Sequence, residues 1–225
     1  MGLSRRVAAA VVAVLAGPLV GCGGAGAAQQ PSIVPEDQAV ILERADRARV
    51  KGDSSAPIRM LEVSDFQCPF CARFNAETLP ALDSLYIRTG RVQYVWFSFP
   101  NPGHPLAWPA IEAAFCAGAV GKFWPMHDLI FAGRDEWGGS TDPMSHFVSY
   151  ALSLDIDEAS YAACLREDRP APLQVRDYEL ALRAGISSTP FFVLGDEVAL
   201  RGALPLENFR RTIDSLLVAR GGADP

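Results

Sequence analysis

The sequence predicts an α/β domain interrupted by an all-helical insertion, and three observations predict it. An apolar strand pattern at residues 58–63 runs into Cys68-Pro69-Phe70-Cys71 and on into a stretch with apolar residues at helical spacing. After a second strand pattern at 91–97, residues 98–184 carry several helical patterns and no strand pattern. At Gly185 the pattern changes back: an apolar run at 191–194, a tight turn at Gly195-Asp196 and a second run at 198–200 read as a hairpin. A chain of 225 residues, 49% of them hydrophobic, can fill the core of one domain with such an insertion.

Residues 1–21 stand apart from that domain. Ser4-Arg5-Arg6 is a short basic region, 7–20 an apolar one, and Leu19-Val20-Gly21-Cys22 ends it, which is the pattern of an export signal. The tetrapeptide resembles the bacterial lipobox, in which the cysteine is acylated and becomes the new N-terminus. Cys22 is therefore the expected lipidation site, the alternative being an ordinary signal peptide with a chance cysteine. The expected location is outside the cytoplasm, lipid-anchored to a bacterial membrane and facing the periplasm or cell exterior. Loss of the signal removes two of the 20 basic residues and none of the 26 acidic ones, so the net charge of −6 becomes −8. Such a balance offers no basic patch for a nucleic acid and no attraction to an anionic bilayer, which leaves the anchoring to the lipid. Disulfides persist in that compartment.

Residues 22–49 read as a tether rich in Gly, Ala, Gln and Pro, then a helical lead-in with Val40, Ile41 and Ala45 apolar. The first part of the domain, 50–97, holds the strand at 58–63, a helix over 69–89 closed by Thr89-Gly90, and the strand at 91–97, a right-handed parallel crossover. Breakers at 100–105 open the insertion. Its helices are expected at 108–120, at 123–131 with Phe123, His127 and Ile130 on one side, after Asp142-Pro143 as N-cap and first turn, at 161–165 behind a capping box at Asp155-x-x-Glu158, and at 172–184. The second part, 185–219, contains Ser188-Thr189-Pro190, the hairpin and a closing helix at 206–218 with Phe209 and Ile213 inward; residues 220–225 are a tail.

The chemistry centres on Cys68 and Cys71. Pro69 has its φ preset and no N–H to lose, the profile of a first helical residue, so Cys68 falls at the N-cap. Unpaired backbone N–H groups and the positive end of the helix dipole there favour the thiolate, which makes Cys68 the nucleophile; Cys71 lies one turn further in. The pair could instead be half of a zinc site or a structural disulfide. A zinc site needs two more ligands, but Cys116 and Cys164 stand singly and His104, His127 and His146 are isolated, so no metal is expected. Glu62 is the odd residue in its strand, either a strand-end carboxylate in water or a buried acid that takes a proton from Cys71. Cys116 and Cys164 are two buried thiols or, as export and an even count favour, a structural disulfide. Trp124, His127 and His104 read as packing or loop residues.

The whole layout resembles a thioredoxin fold with a helical insertion, and in particular the DsbA-like thiol-disulfide oxidoreductases, over roughly residues 50–219. The resemblance implies that Cys68 and Cys71 are the redox pair with Pro69 and Phe70 between them, that Glu62 is the family's buried acid, and that Thr189-Pro190 is its cis-proline loop facing the pair. Asp65-Phe66, the His104 loop and residues 123–128 also look like family positions. It further implies a monomeric oxidase of unfolded or thiol-bearing exported proteins, recycled by a membrane redox partner and needing no cofactor beyond its redox-active disulfide. Pro69-Phe70 lacks the imidazole of the strongest oxidants in that family, so a reductase or isomerase is the alternative direction. Related isomerases carry an N-terminal dimerisation domain for which residues 23–56 are too short. A non-catalytic, partner- or metal-binding lipoprotein of the same fold is the alternative class.

Overall fold

The computed structural model describes residues 38–221; the predicted signal, Cys22 and the tether lie outside them. No described helix is long and apolar enough to cross a membrane. The lead-in forms α1 (Gln38–Ala48) and a two-residue strand, β1 (Val50–Lys51). β2 (Ile58–Ser64) and β3 (Val92–Ser98) pair in parallel from Ile58↔Val92 to Ser64↔Ser98. β4 (Phe191–Leu194) runs antiparallel to β2, and β5 (Val198–Arg201) antiparallel to β4. The five-stranded sheet has the order β1-β3-β2-β4-β5. Gly195 and Asp196 both have positive φ (62° and 64°) as the central residues of a tight turn in which the Glu197 N–H donates to the Leu194 carbonyl (3.2 Å), and residues 195–197 separate the paired Leu194 and Val198.

Between β2 and β3 the chain departs from the single helix expected. α2 (Pro69–Glu77) stops where Thr78 caps it, α3 (Leu79–Leu82) follows, and Asp83–Ile87 closes as a π-helical turn. Pro80 has no N–H to continue the ladder, so the apolar period survives while the hydrogen bonding is interrupted. The last stretch then ends in Gly90 at φ 75°.

The helical layer comprises α4 (Ala107–Gly118), α5 (Phe123–Ala132), α6 (Arg134–Gly138), α7 (Pro143–Ser153), α8 (Glu158–Arg166) and α9 (Ala171–Arg183). α6 was not expected; its Trp137 is buried and donates its indole N–H to the Ile130 carbonyl at 2.7 Å. Asp142 caps α7 as expected, accepting from the Ser145 N–H. The cap of α8 is Asp157, not Asp155: Asp157 accepts from the Ser160 N–H at 2.9 Å, while Asp155 turns the chain at φ 60°. Cys116 on α4 and Cys164 on α8 are joined by a disulfide, both fully buried.

Two apolar cores result. One lies among the insertion helices and takes in α1, Phe66 and Trp96. The other lies between the sheet and α2, α3 and α10 (Leu206–Ala219), where the rings of Phe74, Phe192 and Phe209 sit 4.5–5.3 Å apart. Each such ring, fully buried, contributes about 1.5–3 kcal/mol. A buried ion pair, Arg49 to Asp177, ties the end of α1 to α9, and Asp177 also accepts from the Ser98 N–H (3.1 Å) and hydroxyl (3.0 Å) at the end of β3.

Candidate active site

β2 ends at Ser64 and hands the chain to Asp65, whose buried carboxylate organises the approach to the cysteines. One oxygen accepts from the Gln67 N–H (2.8 Å), closing a turn; the other takes the Asn101 N–H (3.0 Å) and His104 Nδ1 (2.6 Å). The Asp65 carbonyl accepts from the Cys68 N–H at 3.1 Å. Gln67 Oε1 in turn accepts from the Leu106 N–H (2.8 Å), just before α4. Phe66 anchors the turn from below, its ring 4.7 Å from both Trp96 and Phe131.

Cys68 occupies the N-cap of α2, with Pro69 in the first helical position. Both thiols are free; Cys68 is 4% exposed and Cys71 fully buried. The two differ sharply in acidity. A hydrogen bond from Cys71 is the largest influence drawing the Cys68 thiol down to about 6; burial opposes it, and Thr189 and the N–H groups of Cys71 and Phe70 assist. Burial pushes the Cys71 thiol well above its usual range, and the neighbouring Cys68 and Glu62 charges push it further. The Thr189–Pro190 bond is cis, and the Thr189 carbonyl lies 3.5 Å from Cys68 Sγ. Phe70 is 54% exposed beside the pair, with the Arg73 guanidinium over its ring.

Glu62 is buried in β2, and burial raises its carboxyl to about 7 against the lowering effect of Tyr94. The Tyr94 hydroxyl, also fully buried, donates to Glu62 Oε2. Tyr94 was not among the expected site residues. A buried tyrosine needs a partner for its hydroxyl, and an acid on the adjoining strand was the available signal. His127 is buried against Phe66, Trp96 and Phe131, with Asp128 on Nδ1, and burial lowers its pKa. Trp124 packs on Tyr94. Cys116 and Cys164 are bonded to each other, between α4 and α8. Among the described residues no group of three or more His, Cys, Asp or Glu could hold a metal ion.

A sheet flanked by helices, with a Cys-x-x-Cys pair at the start of a helix and a cis-proline loop against it, defines a class, and sequence agrees: the chain belongs to the thioredoxin family, whose model matches residues 44–215. Within that class its fold is the DsbA one. Superposition on Wolbachia pipientis α-DsbA1 gives a TM-score of 0.70 at 22% identity over 76% of this chain and 92% of that one. Oxidised BdbD from Bacillus subtilis gives 0.70 at 21% identity, over 84% and 96%. In sequence, the chain is 38% identical over 152 residues to Na(+)/H(+) antiporter NhaA 3 of Salinispora tropica, covering 67% of this chain and 22% of that protein. It is 25% identical over 170 residues to a Rickettsia typhi protein whose name describes a protein-disulfide oxidoreductase, covering 75% and 61%. The chain thus spans about a fifth of the length of the antiporter relative.

Proposed function

We propose that this chain is an extracytoplasmic thiol-disulfide oxidoreductase that oxidises exported proteins through Cys68 and Cys71. The observation that carries the reading is the inequality of the two thiols: Cys68 is drawn to about 6, and Cys71 is held well above the ordinary thiol range. In the reaction a client thiolate attacks Cys68 Sγ of the closed pair, the S–S bond breaks, and Cys71 leaves as a thiolate and takes a proton. A second client thiolate then attacks the client sulfur of the mixed disulfide and expels the Cys68 thiolate. The client gains a disulfide, and the pair holds two electrons for a membrane redox partner to remove. A reduced form stabilised by its thiolate gives its disulfide away readily, which favours the oxidase direction. Phe70 offers an apolar surface to an unfolded client, and main-chain groups at Thr189 suit an extended chain of any sequence. Glu62 serves as the buried acid, and Cys22 as the lipid anchor.

Equilibration with glutathione buffers tests the direction. The expected potential is above about −180 mV; a value near −270 mV, that of a thioredoxin, would replace the oxidase with a reductase. Mass mapping after brief alkylation of the reduced protein is expected to find Cys68 labelled and Cys71 not; the reverse order overturns the assignment of the nucleophile. Cys22→Ser is expected to release the protein from the membrane fraction, and unchanged fractionation would refute the anchor.

A further inference from the structure

Thiol-disulfide exchange as proposed above moves a proton on and off Cys71, which is wholly buried, so the proton must travel through neighbouring groups. We propose that the hydroxyl of Ser64 relays it between Cys71 and Glu62. The inference rests on the exchange reading and adds a residue to it.

Side chains alternate along a strand, so Met60, Glu62 and Ser64 of β2 share one face. Met60 packs in the same core as Phe74 of α2, which identifies that face as the one under the helix bearing Cys71. The Tyr94 hydroxyl occupies Glu62 Oε2. Glu62 Oε1 and Ser64 Oγ are both buried and both lack a hydrogen-bond partner. Two buried polar atoms at i and i+2 of one face that lack a partner at rest are costly to keep, and a catalytic role is one reason such atoms persist. A serine hydroxyl is donor and acceptor at once, so it can take a proton on one side while giving its own on the other. Its hydroxyl also lowers the proton affinity of both Glu62 and Cys71. Tyr94, by holding Oε2, leaves Oε1 as the oxygen that accepts.

The relay balances in either direction. When the pair closes on a mixed disulfide at Cys68, the Cys71 proton passes to Ser64 Oγ and the Ser64 proton to Glu62 Oε1. The Cys71 thiolate attacks Cys68 Sγ, the new S–S bond forms, and the partner thiolate departs. Client oxidation runs the same proton path backwards: Cys71 leaves as a thiolate and is protonated from Glu62 through Ser64.

The test follows closure of the pair. Reduced protein is mixed with excess oxidised glutathione and quenched with acid at intervals, and mass spectrometry separates the Cys68 mixed disulfide from the closed pair. In the wild type the closure rate is expected to climb with pH and level off once Glu62 is ionised, near the value of about 7 given by its burial. In Ser64→Ala it is expected to fall about 100-fold at neutral pH and to keep climbing with pH without levelling off, because hydroxide must then replace the relay. Glu62→Gln should give the same profile, the double variant no further loss, and Ser64→Thr, which keeps a hydroxyl, the wild-type plateau. Formation of the mixed disulfide at Cys68 should be unchanged in Ser64→Ala. A Ser64→Ala protein with the wild-type rate and plateau, beside a slow Glu62→Gln protein, would overturn the relay and leave the exchange reading intact. No mixed disulfide at Cys68 in the wild type would overturn both.

Discussion

Glu62 shows how a single residue was legible by its misfit. A carboxylate at a buried strand position is costly unless it works, and the structure buries Glu62 and raises its pKa from 4.5 to about 7. Its partner was not legible. Tyr94 counts as an ordinary strand former, and only the parallel register of β2 with β3, which sets Met60 opposite Tyr94 and Glu62 opposite Trp96, brings its hydroxyl to the acid. The raised value makes a stability prediction. The folded state favours the protonated form, so this stabilisation is fully present below the unfolded value of 4.5 and is lost as pH rises through about 7. Chemical denaturation of the wild type should therefore show a loss on the order of 3 kcal/mol across that window, which Glu62→Gln should largely flatten. Equal slopes in the two proteins would mean that Glu62 is not buried as described.

The helices that begin with a named signal were the readable ones: Pro69 after Cys68, and Pro143 after Asp142, each a fixed φ behind a cap. Where signals were ambiguous the chain chose differently. The apolar period runs unbroken past Thr78, so nothing in it announces that the hydrogen bonding is reset there, and Asp155 and Asp157 are equally plausible caps until one of them turns left-handed. α6 is too short for periodicity to register. The disulfide between α4 and α8 closes a loop 48 residues apart, and a loop of that length constrains the unfolded chain by about 4 kcal/mol in the chain-entropy account. Cys116→Ala with Cys164→Ala should thus lower the unfolding free energy by about 2–4 kcal/mol while leaving the alkylation rate of Cys68 unchanged. A change in that rate would show that the bridge reaches Cys68.

At the scale of the whole molecule, the fold class followed from the order of elements, whereas the contact that fastens lead-in, sheet and helical layer together did not. Arg49 and Asp177 are 128 residues apart and look like solvated charges in the sequence, yet both are buried, with Asp46, Ser98 and Arg176 completing their hydrogen bonds. Asp177→Ala would strand the guanidinium without its buried counter-charge. The expected cost is about 3–5 kcal/mol in thermal or chemical unfolding, and a loss below 1 kcal/mol would refute the pair as a fastener. The sheet's two borders have a consequence of another kind. β1 offers two residues and β5 four, each paired on one side only. A protein proposed to meet unfolded chains works among segments that add themselves to any open strand, and borders this short give such segments almost no template. With the function proposed above, such borders would let it hold a sticky client by its sulfur without being drawn into that client's aggregates.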